Sequence, residues 1–264
     1  MPRAKRRLGQ HFLADPKILA RIADALEAGP TDRVLEIGPG PGGLTGALLA
    51  RAGQVVAIEK DRDLIPPLRQ RFPGARLVEG DALDLDWHDL IETPFLVAGN
   101  IPYNITSPLL DKALLPPRPE RIVFLVQKEV ADRVTAAAGT PEYGALSIGI
   151  QLTARAERLF TVPAGAFHPR PKVDSAVLRL TPLSEPPVAD EERDSFRALV
   201  VGLFGFRRKQ MLRALRELTG WDATRVSGVL VSVAIAETAR PEVVRPLDFV
   251  RLHRALVDGG WPAR

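Results

Sequence analysis

Apolar positions between residues 16 and 130 alternate between two spacings. Ile18, Leu19, Ile22, Ala23 and Leu26 recur at three and four residues, the spacing of one helix face. Asp15 before Pro16 predicts an N-cap and a first helical residue, and Gly29-Pro30 predicts the stop. Short, almost wholly apolar runs at 33–37, 55–58, 75–78, 95–98 and 122–126 read as strands. Helices are expected between them at 44–52, at 62–71 before Pro73, and after Ser107-Pro108, with another over 127–138. Apolar strands separated by helices predict a parallel sheet covered on both faces. Residues 146–152 and 176–180 read as two further strands, an antiparallel edge pair, which brings the sheet to seven.

Beyond Leu183-Ser184-Glu185-Pro186-Pro187 strand signals largely vanish, apart from an ambiguous stretch at 229–235. Helical spacing covers 190–204, 208–219, 222–232 and 246–257, with Gly220 as one stop. The chain therefore divides into an α/β domain over 1–183, with a basic N-terminal arm, and a small all-helical domain over 184–264.

Composition narrows the function classes. The chain has 264 residues, 45% hydrophobic and 26% charged, enough to bury a core. It has no apolar run of membrane-helix length, and no signal-peptide segment follows the basic N-terminus, so a cytoplasmic protein without a membrane partner is expected. The absence of cysteine excludes thiolate metal sites and cysteine nucleophiles, and the histidines (His11, His88, His168, His253) lack ligand spacing, so no metal is expected. Net charge is only +4, but Arg3, Lys5, Arg6 and Arg7 form one acid-free cluster. Arg207, Arg208, Lys209, Arg213 and Arg216 form another, and together they point to a polyanion such as RNA.

The first strand runs into Glu36-Ile37-Gly38-Pro39-Gly40-Pro41-Gly42-Gly43 before a helix. Glycines there permit a sharp turn and close approach to a ligand, and the helix start offers N–H groups. Gly38, Gly40 and Gly43 match G-x-G-x-x-G, a pattern that does not separate NAD from S-adenosylmethionine. Glu59, 21 residues after Gly38, is placed to accept from ribose hydroxyls, and Asp81 to accept from an adenine amino group.

Asn100-Ile101-Pro102-Tyr103 closes the fourth strand and fits the [DNS]-x-P-[YFW] pattern of methyltransferases acting on exocyclic amino groups. The adenine amino nitrogen is a poor nucleophile because its lone pair is delocalised. Asn100 Oδ1 and a carbonyl near Ile101 are expected to accept its two hydrogens and free that lone pair. Pro102 stiffens the turn without an N–H of its own, and Tyr103 is expected to stack on the base. A hydride-transfer enzyme has no use for this group, which favours S-adenosylmethionine. Phe167, in the stiff loop Phe167-His168-Pro169-Arg170-Pro171, is a candidate second ring.

With these residues in place the chain resembles the KsgA/RsmA ribosomal RNA adenine dimethyltransferases. The resemblance rests on Leu8-Gly9-Gln10-His11-Phe12-Leu13, Glu36-Ile37-Gly38-Pro39-Gly40, Gly80-Asp81-Ala82, Asn100-Ile101-Pro102-Tyr103, Gln127-Lys128-Glu129-Val130-Ala131, Tyr143-Gly144-Ala145-Leu146-Ser147, Phe167 to Ser175, and Phe206-Arg207-Arg208-Lys209. It implies a Rossmann-like seven-stranded methyltransferase sheet with a helical C-terminal domain. It further implies dimethylation of two adjacent adenosines near the 3′ end of 16S rRNA with S-adenosylmethionine, and a part in small-subunit maturation; a monomer is expected. His11 and Leu13 are implied to join Gly38, Gly40, Glu59, Asp81 and Asn100 around the cofactor, and Phe167 to be the second stacking ring. Arg207, Arg208 and Lys209 are implied to contact rRNA. The competing readings are the large-subunit adenine methyltransferases of the macrolide-resistance type and a ribosome-assembly factor that mainly binds.

Overall fold

The computed structural model describes residue 5 and residues 8–261. They form two compact units, Met1–Ala131 with Ala156–Pro182, and Asp132–Arg155 with Leu183–Arg264. The second unit thus takes in a segment from before the expected boundary near 183 as well as everything after it.

In the first unit β1 (Phe12–Leu13) precedes α1 (Pro16–Ala25), and Asp15 caps that helix by accepting from the N–H groups of Lys17 and Ile18. Leu19, Ile22 and Ala23, read as its apolar face, are buried. Then follow β2 (Arg33–Ile37), α2 (Gly43–Leu49), β3 (Gln54–Glu59), α3 (Ile65–Arg71), β4 (Ala75–Glu79), β5 (Leu96–Asn100), α4 (Thr106–Ala113) and β6 (Arg121–Gln127), which runs into α5 (Lys128–Thr135). Later come β7 (Ala154–Val162), β8 (Phe167–His168) and β9 (Ser175–Pro182). One seven-stranded sheet has the order β4-β3-β2-β5-β6-β9-β7. The pairs β2–β3, β3–β4, β2–β5 and β5–β6 are parallel, and β6–β9 is antiparallel. The α/β fold and the strand count agree with the sequence reading.

One strand does not. Residues 146–152 lie in α6 (Ala145–Gln151) and its C-cap, and β7 takes the edge position instead. Ser147 Oγ accepts the Gly144 N–H at 3.1 Å and donates to the Arg133 carbonyl at 2.5 Å, which starts a helix inside a largely apolar run. Ile148 and Leu152, four residues apart, then share the apolar core of the second unit. The sequence of β7 carries Arg155, Glu157 and Arg158, and as an edge strand it is only partly buried, so it lacks the continuous apolar signature of the inner strands.

The second unit also contains α7 (Arg193–Gly205), α8 (Met211–Thr219), α9 (Ala223–Ser232) and α10 (Pro246–Asp258). These follow the four predicted helices closely; Gly220 ends α8 in the left-handed region, and the ambiguous 229–235 stretch begins as the end of α9. Their apolar faces form a core including Phe196, Leu199, Met211, Leu215, Leu230, Phe249 and Leu256. Within it His253 is 2% exposed, and its Nε2 lies 2.9 Å from Ser195 Oγ.

Two expectations follow. A Cβ on Gly99 would stand 2.6 Å from the Ile37 carbonyl oxygen of β2 and 2.8 Å from Cδ1 of the buried Ile101. Gly99→Ala should therefore lower stability by about 1–3 kcal/mol, read as a fall in the urea midpoint. Burial holds the His253 pKa below 6.5, with Glu192 opposing and Arg254 adding to the depression. Its native form is the neutral ring, so the unfolded chain binds the proton first: stability is intact above pH 6.5 and declines as pH falls through the lower folded value. Thermal unfolding should accordingly weaken between pH 7 and 5 more in the wild type than in His253→Gln, the ring being the titrating group.

Candidate active site

Strand order reverses across β2: β3 lies on one side and β5 on the other. Ligands of open parallel sheets bind at such a point, beyond the carboxyl ends of the strands. A cavity there is lined by Gln10, His11, Phe12 and Leu13, by Glu36 to Pro41, by Glu59, Lys60 and Asp81, and by Asn100 to Ile105. His11, Leu13, Gly38, Gly40, Glu59, Asp81, Asn100, Ile101, Pro102 and Tyr103 are thus brought together.

The glycine loop is wound tightly on itself. Gly38 and Gly40 have φ of +67° and +56°, where a side chain is strained, and a Cβ on Gly40 would come within 3.2 Å of the Phe12 ring. The Gly38 N–H donates to the Ile58 carbonyl (2.9 Å), Gly40 N–H to Glu59 Oε2 (3.0 Å), and Gly42 N–H to the Pro39 carbonyl (2.9 Å). The sequence reading placed free N–H groups at the start of the following helix. The loop's own donors at Gly38, Gly40 and Gly42 are engaged internally, which makes the loop itself a poor cradle for a diphosphate.

Glu59 is 5% exposed, and its other oxygen accepts from the Asp61 N–H at 2.7 Å. Each carboxylate oxygen keeps a lone pair, so the group is fixed in orientation and still able to accept two hydroxyls. Burial raises its pKa, and the Asp61 and Gly40 N–H bonds partly offset that rise. Asp81 is held by the Leu83 N–H and the Lys60 ammonium; burial pushes its pKa up, but those partners outweigh it and leave it below the usual carboxylate range.

The Asn100 side chain is oriented by chemistry. Its Nδ2 donates to the His11 carbonyl at 2.8 Å, and since a carbonyl only accepts, the amide nitrogen must face it and Oδ1 is the remaining acceptor. The Ile101 N–H donates to Leu125 at 3.0 Å, and the Pro102 carbonyl accepts from Ile105 at 3.1 Å. Tyr103 is anchored by a 2.8 Å bond between its hydroxyl and Ser175 Oγ, and burial raises its pKa. The His11 ring stacks on Tyr103 with centroids 5.5 Å apart and planes 25° from parallel.

Phe167 is placed differently from the expectation. It does not line the cavity; it is 5% exposed, sits in β8 opposite Leu13 of β1, and packs into the core with Leu13, Leu19 and Leu44. An apolar ring next to a two-residue strand is worth more buried than displayed. Glu36 is a site residue to which the sequence reading gave no role. It lines the cavity at 1% exposure, accepts the Thr45 hydroxyl at 2.7 Å, and burial raises its pKa to about 8. An acid among the apolar residues Val34, Leu35 and Ile37 of a strand, next to the glycine turn, was the available signal.

The basic clusters are less free than their sequence suggests. Arg3, Arg6 and Arg7 lie outside the described residues. Lys5 Nζ meets Asp61 at 2.5 Å and Asp63 at 2.6 Å. In the helical unit Arg207 is held by Glu242 (2.6 Å) and the Pro141 carbonyl (2.8 Å), and Lys209 by Glu217. Arg208 is exposed and has no partner among the described residues. Those residues contain no metal-ligating cluster, and no helix among them is long and apolar enough to cross a membrane.

The family described as "Ribosomal RNA adenine dimethylase" matches residues 1–252. The chain is 43% identical to the ribosomal RNA small subunit methyltransferase A of Geobacter metallireducens, covering 97% of this chain and 96% of that one. Identity is 44% with the protein of the same name from Synechococcus elongatus, over 97% and 96%. Among solved structures, a dimethyladenosine transferase from Plasmodium falciparum superposes with a TM-score of 0.85 at 26% identity, covering 95% of this chain and 99% of that one. The 23S rRNA methyltransferase ErmE superposes with a TM-score of 0.72 at 32% identity, covering 93% and 99%.

Glu59→Gln replaces one acceptor oxygen by a donor that faces a main-chain N–H. Loss of one charge-assisted bond is worth about 1.5–3 kcal/mol, so calorimetric titration with S-adenosylmethionine should show affinity reduced by roughly 10- to 100-fold.

Proposed function

The chain belongs to the ribosomal RNA adenine dimethylase family, and we propose that its substrate is a pair of adjacent adenosines near the 3′ end of 16S rRNA. It is an S-adenosylmethionine-dependent rRNA adenine dimethyltransferase with a Rossmann-like α/β fold. The observation that carries the assignment is the Asn100 amide, locked by the His11 carbonyl with its oxygen left to accept, at the rim of a cavity walled by Glu59 and Asp81.

The residues present fit the donor. A loop that spends its Gly38, Gly40 and Gly42 N–H groups internally suits a cofactor without phosphates, and Glu59 suits two ribose hydroxyls. Asp81 is placed for the adenine amino group, and His11, Leu13, Gly38 and Gly40 close the walls. Bound S-adenosylmethionine supplies an electrophilic methyl group on its sulfonium. Asn100 Oδ1 accepts one hydrogen of the target amino group. The Ile101 carbonyl, which has no partner among the described residues, accepts the other, since the Pro102 carbonyl is engaged by Ile105. With both hydrogens held, the nitrogen lone pair turns out of conjugation and towards the methyl. Tyr103, pinned through Ser175, stacks on the base. Positioning and fixed dipoles are sufficient for such a transfer, with no covalent intermediate.

The small-subunit substrate is favoured over the large-subunit one because the relatives named for the small subunit reach 43% and 44% identity, against 32% for ErmE. Arg208 is the phosphate contact of the helical unit, with Arg207 and Lys209 holding its local geometry. The enzyme works as a cytoplasmic monomer without metal, and it takes part in small-subunit maturation.

Labelled methyl groups offered with unmethylated small subunits, large subunits and bare RNAs should appear as dimethyladenosine in small-subunit rRNA; label in the large subunit would favour the macrolide-resistance activity. Tyr103→Ala should reduce kcat/KM about tenfold or more, the worth of one stacked base, while S-adenosylmethionine affinity stays within a few-fold. Equal losses in both would contradict the stacking role. A Glu59→Gln protein that still matures small subunits would separate assembly from methylation.

A further inference from the structure

The loop that leaves β4 carries Asp81, and from there to Trp87 it is neither helix nor strand. A few bonds set its shape. The Leu83 N–H donates to Asp81 Oδ1 at 3.0 Å, and the Leu85 N–H to the Asp81 carbonyl at 3.1 Å. The carbonyls of the same two residues both accept from Lys112 Nζ, at 2.7 and 2.6 Å. Leu83 and Leu85 thus each hold Asp81 by an N–H and Lys112 by an oxygen. Trp87 adds a further tie: its Nε1 donates to the Ala82 carbonyl at 2.9 Å, and its ring centre lies 5.8 Å from the Lys112 ammonium.

Lys112 stands in the last turn of α4, where the helix carbonyls favour a cation. That helix starts at Thr106, whose hydroxyl donates to the Pro102 carbonyl of the base-handling tetrapeptide at 3.3 Å. Its length of about 12 Å takes the ammonium from that tetrapeptide to the Asp81 loop, and Leu109, Leu110 and Ala113 are buried along the way.

We propose that Lys112 is a positioning residue for the adenine of the methyl donor, clamping Leu83 and Leu85 so that Asp81 stays aimed at the amino group. This rests on the reading of Asp81 as the acceptor of that amino group. Gly80, Asp81 and Ala82 line the cofactor cavity, whereas Lys112 lies behind them and is not part of its wall. An ammonium suits the task, because one atom with three N–H donors reaches two carbonyls at once. It also favours the charged carboxylate. Burial opposes ionisation of Asp81, and Lys60, the Leu83 N–H and, through space, Lys112 together outweigh it. Lys60 has a different part: it lines the cavity and pairs with the carboxylate directly, leaving the backbone around Asp81 untouched. Removing the Lys112 ammonium takes the donor from two carbonyls at once, in a loop with no helix or strand to hold it.

The test compares two ligands by calorimetric titration, S-adenosylhomocysteine and its deamino counterpart, in which a hydrogen replaces the adenine amino group. The wild type should prefer the amino form about tenfold, the strength of one hydrogen bond to a charged group. Lys112→Met keeps an apolar stem and loses the donors. It should bind the amino form about tenfold more weakly and the deamino form almost as the wild type does, so that the preference disappears. A lysine that only stabilises the fold would weaken both ligands alike, or lower the melting temperature alone; either result would overturn the proposal. Should the methionine variant not fold, Lys112→Gln, with fewer donors on a shorter stem, should show the same selective loss in smaller degree, and an equal loss for both ligands would count against it. Asp81→Asn separates the inference from its premise. If Asp81→Asn abolishes the preference and Lys112→Met leaves it intact, Asp81 reads the amino group and Lys112 does not position it. If the wild type shows no preference, the premise itself fails. Adding Lys112→Met to Asp81→Asn should weaken the amino form no further, since both act through one contact, and additive losses would refute the link.

Discussion

The pairing of β2 with β5 is the constraint on which the site depends. Their parallel register sets Ile37 opposite Gly99, so the loops that leave the two strands emerge side by side. One becomes the glycine turn and the other the Asn100-Ile101-Pro102-Tyr103 tetrapeptide. Glu59 and Asp81 then follow from β3 and β4, because parallel strands present their carboxyl ends on one side. The absence of a side chain at Gly99 is what lets the strands approach at this point, with the Ile37 carbonyl where a Cβ would stand. The glycine turn and the tetrapeptide are neighbours in the cavity because of a sheet register.

Within that frame the polar groups decide what the cavity accepts. The Gly38, Gly40 and Gly42 donors of the turn are already satisfied, at Ile58, Glu59 and Pro39. The site therefore offers acceptors and oriented amides more than free N–H donors, which suits a ligand rich in hydroxyls, amines and positive charge. A dinucleotide would find those three donors of the loop already engaged. The same G-x-G-x-x-G spacing thus serves a different ligand, and the distinction lies in where the N–H groups point.

Much of this was legible in the chain. Asp15-Pro16 marked a helix start, because an acceptor side chain and a residue with no N–H relieve the unpaired end of a helix. Apolar runs marked the inner strands, because both faces of a parallel sheet are covered. The failures have physical causes as well. Residues 146–152 had a strand's composition, but a local serine cap and the core contacts of Ile148 and Leu152 overrode it. The edge strand β7 went unseen because an edge needs no continuous apolar run. Phe167 looked presentable in a proline-rich loop, yet pairing of β8 with β1 turned it inward. Charge clusters counted along the chain concealed that Arg207 and Lys5 are matched by acids distant in sequence, and Lys209 by Glu217 just past the cluster's end.

The segment around His11 shows how few interactions can couple two functions. It is held to the unit by two residue pairs of β1 with β8, by Lys5 and Gln10 on Asp61, and by the Asn100 and Pro169 bonds. Phe12 and Leu13 of the same segment are buried, so its position is fixed by packing as well as by these bonds. The segment both forms a wall of the cavity and supplies the carbonyl that orients Asn100. The orientation of the amide therefore depends on the segment's place in the cavity wall. A ligand that fits against this wall consequently meets an amide that is already set, without any contact between ligand and amide being required.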